Sequence, residues 1–134
     1  MATLTLVNPR LVSGSTRTET AAATIAAGQL VALDSDSNVI LADASDAEKY
    51  QCVGIAVTPA DSGDLCIYAI SGSVMQFSNM SNSTYGTNWW VSGTAGAIEE
   101  YSDLTNGEYM FNMARAWQYD TQIKLTFTDL SVVK

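Results

Sequence analysis

Apolar residues recur along this chain in short runs, broken every few positions by Asp, Ser, Asn and Gly. Leu30-Val31-Ala32-Leu33, Val39-Ile40-Leu41, Cys52-Val53-Gly54-Ile55-Ala56-Val57, Leu65-Cys66-Ile67-Tyr68-Ala69-Ile70 and Val74-Met75-Gln76-Phe77 follow one another in this way. Runs of this length between turn residues predict β-strands. The separators at 34–38 and 58–63 predict turns, because Asp, Ser and Asn side chains bond to nearby backbone and Asn tolerates left-handed geometry. Ser45 and Glu48 have capping-box spacing, which predicts one helical turn. Gly54, inside an apolar strand, predicts the close approach of another backbone.

The region before residue 25 reads differently. Residues 2–7 alternate polar and apolar, as an edge strand would, until Asn8-Pro9 breaks the run. Residues 13–20 are small, polar and Thr-rich, with little to bury. They predict a segment that orders only against a partner, by strand addition onto a neighbour. The expected organisation is therefore an extended N-terminal arm, residues 1–24, followed by one β-rich domain, residues 25–134.

Within that domain the pattern echoes itself at an offset of 58 residues. Gly28 falls on Gly86, Leu33 on Val91, Ile40 on Ile98 and Ala56 on Ala114. Leu65, Ile67 and Ala69 fall on Ile123, Leu125 and Phe127, and residues 122–127 alternate cleanly. The expectation is an internal pseudo-repeat, residues 28–70 and 86–128. Many short strands spaced by turns make the fold class mostly β, a small β-barrel or β-sandwich.

Charge narrows the function. Six Lys and Arg stand against fourteen Asp and Glu, a net of −8. A chain this acidic repels phosphate backbones and anionic lipid, so direct nucleic-acid and membrane binding are not expected. Residues 1–27 carry Arg10, Arg17 and Glu19, a net of 2 − 1 = +1, and the remainder 4 − 13 = −9. A slightly basic arm on an acidic body implies different surroundings for the two. The N-terminus lacks the basic and apolar regions of a secretion signal, and no apolar run approaches the roughly 20 residues that span a bilayer. Cys52 and Cys66 fall in predicted strands and read as buried thiols rather than a disulfide.

No constellation for catalysis emerges. There is no histidine, which removes the usual general base and the commonest metal ligand. Asp34, Asp36 and Asn38 imitate the start of an EF-hand loop. Val39 stands where that loop needs glycine and Ser45 where it needs glutamate, so the stretch reads as a turn. Asp61 and Asp64 read likewise. Glu99 and Glu100 are adjacent, point to opposite faces of a strand and make a poor acid/base pair. Catalytic, cofactor and metal residues are all expected to be none, and the chain is not expected to be an enzyme.

Aromatic residues gather in the second half: Tyr85, Trp89, Trp90, Tyr101, Tyr109, Trp117 and Tyr119. Consecutive tryptophans on a strand face opposite ways, so one of Trp89 and Trp90 packs inward and the other outward. An outward indole serves as an interface anchor or as a sugar platform.

The run from Leu30 to Asp43, the Val53-Gly54-Ile55 strand and the Ile67-Tyr68-Ala69-Ile70-Ser71-Gly72 strand with Val74 resemble the head decoration proteins of tailed phages, of the lambda type. Related capsid cement proteins look similar over a longer span: Ala27-Gly28-Gln29-Leu30-Val31, Val53-Gly54-Ile55-Ala56 and the hairpin beginning at Gly86. The resemblance covers roughly residues 25–128. It implies a β-tulip-like structural protein, usually trimeric, on the outer surface of the expanded icosahedral head, where it steadies the shell against DNA pressure. It further implies the virion as location after synthesis in the host cytoplasm, and the major capsid protein as partner. On that reading the arm residues Leu4, Leu6, Arg10, Leu11 and Arg17 contact the capsid and the Trp89/Trp90 region joins subunits. The rival reading is a carbohydrate- or receptor-binding β module displayed on a particle surface.

Overall fold

The structure, a computed structural model, describes residues 4–78, 88–99, 104–116 and 122–134. Tyr85, Gly86, Glu100, Tyr101, Trp117 and Tyr119 lie outside the described residues. Among those described are eleven strands and no helix: β1 (Arg10–Ser13), β2 (Thr16–Thr20), β3 (Leu30–Leu33), β4 (Val39–Leu41), β5 (Gly54–Ala56), β6 (Leu65–Ala69), β7 (Val74–Gln76), β8 (Asn88–Val91), β9 (Ile98–Glu99), β10 (Tyr109–Ala116) and β11 (Gln122–Val133). They form a six-stranded sheet, β1-β7-β11-β10-β8-β9, and a five-stranded sheet, β2-β6-β5-β3-β4, with antiparallel pairing throughout. The all-β class read from the sequence holds, and of its two forms the structure takes the sandwich rather than one closed barrel.

The two sheets repeat one connectivity. The order β6-β5-β3-β4 in one matches β11-β10-β8-β9 in the other. A shift of 58 residues carries β3 onto β8, β4 across β9, β5 into β10 and β6 into β11. It also carries β2 onto 74–78, across β7, so each unit has a fifth strand that the sequence echo does not mark.

Each sheet takes its edge strand from the N-terminal segment. β1 pairs with β7, and Leu4 exchanges backbone hydrogen bonds with Ile98 of β9, at the opposite edge of the same sheet. The chain crosses at Gly14-Ser15, where a Cβ on Gly14 would lie 2.3 Å from Ser73 Oγ and φ is +121°. Only glycine fits that crossing. β2 then pairs with β6 along its whole length, and Ala22 N–H donates to Val39 O of β4. The strand addition that the sequence predicts onto a neighbour is made within the chain. The open edges of β6 and β7 are already tethered to this segment, so pairing with them costs no association entropy.

Between the sheets lies the main core, built on Leu30, Ile55, Met75, Trp89, Ile98 and Ile123. A second cluster, with Val31, Val39, Cys66 and Tyr68 at its heart, covers the other face of the five-stranded sheet beneath Ala21, Ile25 and Ala60. The inner strands β3 and β5 of that sheet are covered on both faces, which is why they are apolar throughout. In β11, Ile123 and Leu125 enter the core while Gln122, Lys124 and Thr126 alternate outward, the pattern of a sheet with one solvated face. Each large side chain sealed in this way stabilises the fold by about 1.5–3 kcal/mol.

Two local expectations meet different outcomes. A Cβ on Gly54 would lie 2.3 Å from Ala69 O, the close backbone approach that a glycine inside the strand predicts. No helical turn forms at 45–48. Instead the Asp43 side chain accepts hydrogen bonds from Ser45 N–H and Oγ–H, and that of Asp46 accepts from Glu48 N–H. These Asx-type bonds offer the backbone an alternative to helix.

Candidate functional site

The chemistry-bearing side chains are dispersed. Among the described residues no group of three or more Cys, Asp and Glu could hold a metal ion. Asp34 Oδ1 accepts the N–H groups of Asp36 and Asn38, each at 2.9 Å, and so closes the turn. Asp61 and Asp64 are joined by a backbone hydrogen bond of the β5–β6 turn. Cys52 and Cys66 are free, buried and in different clusters. Burial pushes the Cys52 thiol up to about 12, with its S–H donating to Gly54 O, and burial raises Cys66 as well. Thiols held protonated in this way are poor nucleophiles.

The five arm residues do not converge on one surface. Leu6 is 1% exposed in the main core, and Leu4 and Leu11 pack partly buried against it. Arg10 is exposed on the outer face of the six-stranded sheet, its guanidinium donating to Gln76 Oε1. Arg17 belongs to the other sheet, opposite Tyr68, where it lines a cleft of about 330 Å³ with Leu33, Val53 and Ile70. Leu6 is therefore a core side chain rather than a surface for a partner, because it is spent on the chain's own body, while Val7 and Val12 of the same segment stay exposed.

The tryptophan pair divides as alternation requires. Trp89 is 3% exposed, packed in the main core, and cannot join subunits in this conformation. Trp90 turns the other way and is half-buried, opposite Asn112 on one side and Glu99 on the other. Glu99 is itself buried and accepts the Ser92 hydroxyl. Tyr109, another of the grouped aromatics, stacks on Tyr50 with ring centroids 4.6 Å apart, and the Tyr50 hydroxyl donates to Asp129 at 2.9 Å.

Two basic residues that the sequence reading passes over share Trp90's face. Arg115 on β10 stands directly opposite Lys124 on β11 and, on its other side, opposite Asn88. The signal was present in the polar positions of residues 122–126. Those positions say that Lys124 points outward, but not which residue of another strand stands beside it.

Residues 10–100 match the family described as phage cement protein, a span that runs from β1 through β9. No curated protein matches the chain.

Proposed function

Because the chain belongs to the phage cement protein family, with the structural, capsid-stabilising role that membership carries, we propose that it binds the outer surface of the expanded icosahedral head through the major capsid protein, as a homotrimer, and opposes the pressure of packaged DNA. The observation that carries this reading is the extent of the match, which takes in every strand of the five-stranded sheet and both edges of the other. The body suits the task mechanically. One N-terminal segment is hydrogen-bonded into both sheets, so a pull on either sheet is shared by the other. Three linked contacts per trimer would raise avidity by roughly 10²–10⁴ over one contact alone.

Cosedimentation of the purified chain with unexpanded and expanded heads of its phage tests the reading. Binding to expanded heads alone, with slower loss of DNA on heating, is the expected result. Indifference to both kinds of head overturns it. Trp90 is the one observation that favours the glycan-binding alternative, and a glycan-array signal abolished by Trp90→Ala would replace the capsid reading.

A further inference from the structure

We propose that the outward face of the six-stranded sheet is the surface that docks on the shell, and that it fits an acidic, acceptor-rich protein surface there. The inference rests on the capsid reading above and assigns that contact to particular residues.

The face can be read from register and burial. Met75 and Phe77, Ile123 and Leu125, Phe111 and Met113, and Trp89 and Val91 all enter the core. Their neighbours along each strand therefore point away from it. Arg10, Gln76 and Gln122 form one row across β1, β7 and β11. Val74, Lys124, Arg115 and Asn88 form the next, across β7, β11, β10 and β8. Beyond it Thr128, Asn112 and Trp90 continue the surface, with the Thr126 hydroxyl donating to Asn112 Oδ1 at 3.2 Å.

Charge singles this face out. The chain carries −8 overall and has six basic residues, and Arg10, Arg115 and Lys124 are three of them. The one acidic residue among the described residues of these rows is Glu99, buried beneath the Ser92 hydroxyl. Seven of the fourteen acidic residues, Asp34, Asp36, Asp43, Asp46, Glu48, Asp61 and Asp64, belong instead to turns joining strands of the five-stranded sheet. Arg115 stands directly opposite Lys124 on this face. A face that gathers three of the six cations of an acidic protein suits an electrostatic partner.

The occupant follows from shape and net charge. Amides, threonines, two side-by-side cations and a half-buried indole, spread over five strands, match a broad protein surface bearing carboxylates and carbonyls. Half of the acidic groups of a second copy, seven of fourteen, sit on turns rather than on a broad face. Nucleic acid would have to approach a body of net charge −8. A capsid exterior with acidic side chains meets neither obstacle.

The test uses the full chain and expanded heads stripped of it. Arg115→Glu and Lys124→Glu should each weaken binding roughly tenfold or more. Arg115→Lys should retain most of it, and Lys49→Glu, outside this face, should leave it unchanged, with circular dichroism confirming the fold of each. Raising salt should weaken the wild type more than Arg115→Glu. If both charge reversals bind like wild type while wild type binds well, the face is wrong and the cement reading stands. If the reversals change the oligomeric state in light scattering and leave head affinity intact, the face joins copies and the proposal falls. Tight, salt-sensitive binding of a single-stranded oligonucleotide that Arg115→Glu removes overturns it in favour of nucleic acid. Wild type that ignores expanded heads removes the cement reading and this inference together.

Discussion

Leu4 and Ile98 exchange two backbone hydrogen bonds, Leu4 N–H to Ile98 O at 2.9 Å and Ile98 N–H to Leu4 O at 3.0 Å. That exchange stitches the start of the described chain to the strand farthest from β1 in the same sheet. With Leu6 inserted two residues later, the N-terminal segment belongs to the body that it closes.

Leu6→Ala should therefore act as a core mutation. Truncating a leucine that is 1% exposed removes its transfer energy and leaves a cavity, together about 2–5 kcal/mol. Urea denaturation should show a lower midpoint at unchanged slope. A loss below about 0.5 kcal/mol, the size typical of a surface substitution, would mean that the segment is held elsewhere.

The neighbouring tryptophans should separate by stability. Trp89→Ala empties a core site and should cost about 3–5 kcal/mol. Trp90→Ala, on the outward and half-buried side, should cost markedly less and act chiefly on binding to heads. Thermal melts of the two variants, run beside head cosedimentation, would show reversed effects if the strand faces were assigned wrongly.

Gly54→Ala should destabilise although the backbone there has no need of a positive φ. The added methyl would meet Ala69 O at 2.3 Å and Tyr68 Cδ2 at 2.5 Å. The carbonyl is held in the β5–β6 ladder and cannot swing aside, so overpacking of about 1–3 kcal/mol is expected. An unchanged melting temperature would show that β5 and β6 can separate at little cost.

Alkaline pH should weaken the fold through Cys52. Its thiol ionises at about 12 when folded and near 8.5 when unfolded. Above the unfolded value the unfolded chain releases a proton that the folded chain keeps. The stabilisation is thus complete below about pH 8.5 and is lost as pH rises towards 12, by at most about 1.4 kcal/mol per pH unit. Urea curves at pH 8 and pH 10 should show the decline, and Cys52→Ala should make it shallower. An equal decline in the variant would assign it to other groups.

Much of the molecule was legible in the chain itself. Short apolar runs between Asp, Ser and Gly define most of the strands, because side-chain alternation and turn chemistry are local properties. The echo at 58 residues follows the shared strand order of the two sheets for the same reason. Trp89 and Trp90 had to point opposite ways, but which one entered the core depended on the face that β8 turned to the other sheet. The fate of residues 4–22 was likewise non-local: a polar Thr-rich segment pairs with whatever edge is free, and β6, β7 and β9 supply those edges from distant sequence. Arg115 faces Lys124 through a register that shifts between Asn112 and Ala114, an irregularity that the residues do not announce. Sequence by itself determined what each strand is made of. Tertiary structure decided which strands became neighbours, since pairing partners are chosen by the burial of the whole core and not by any one strand.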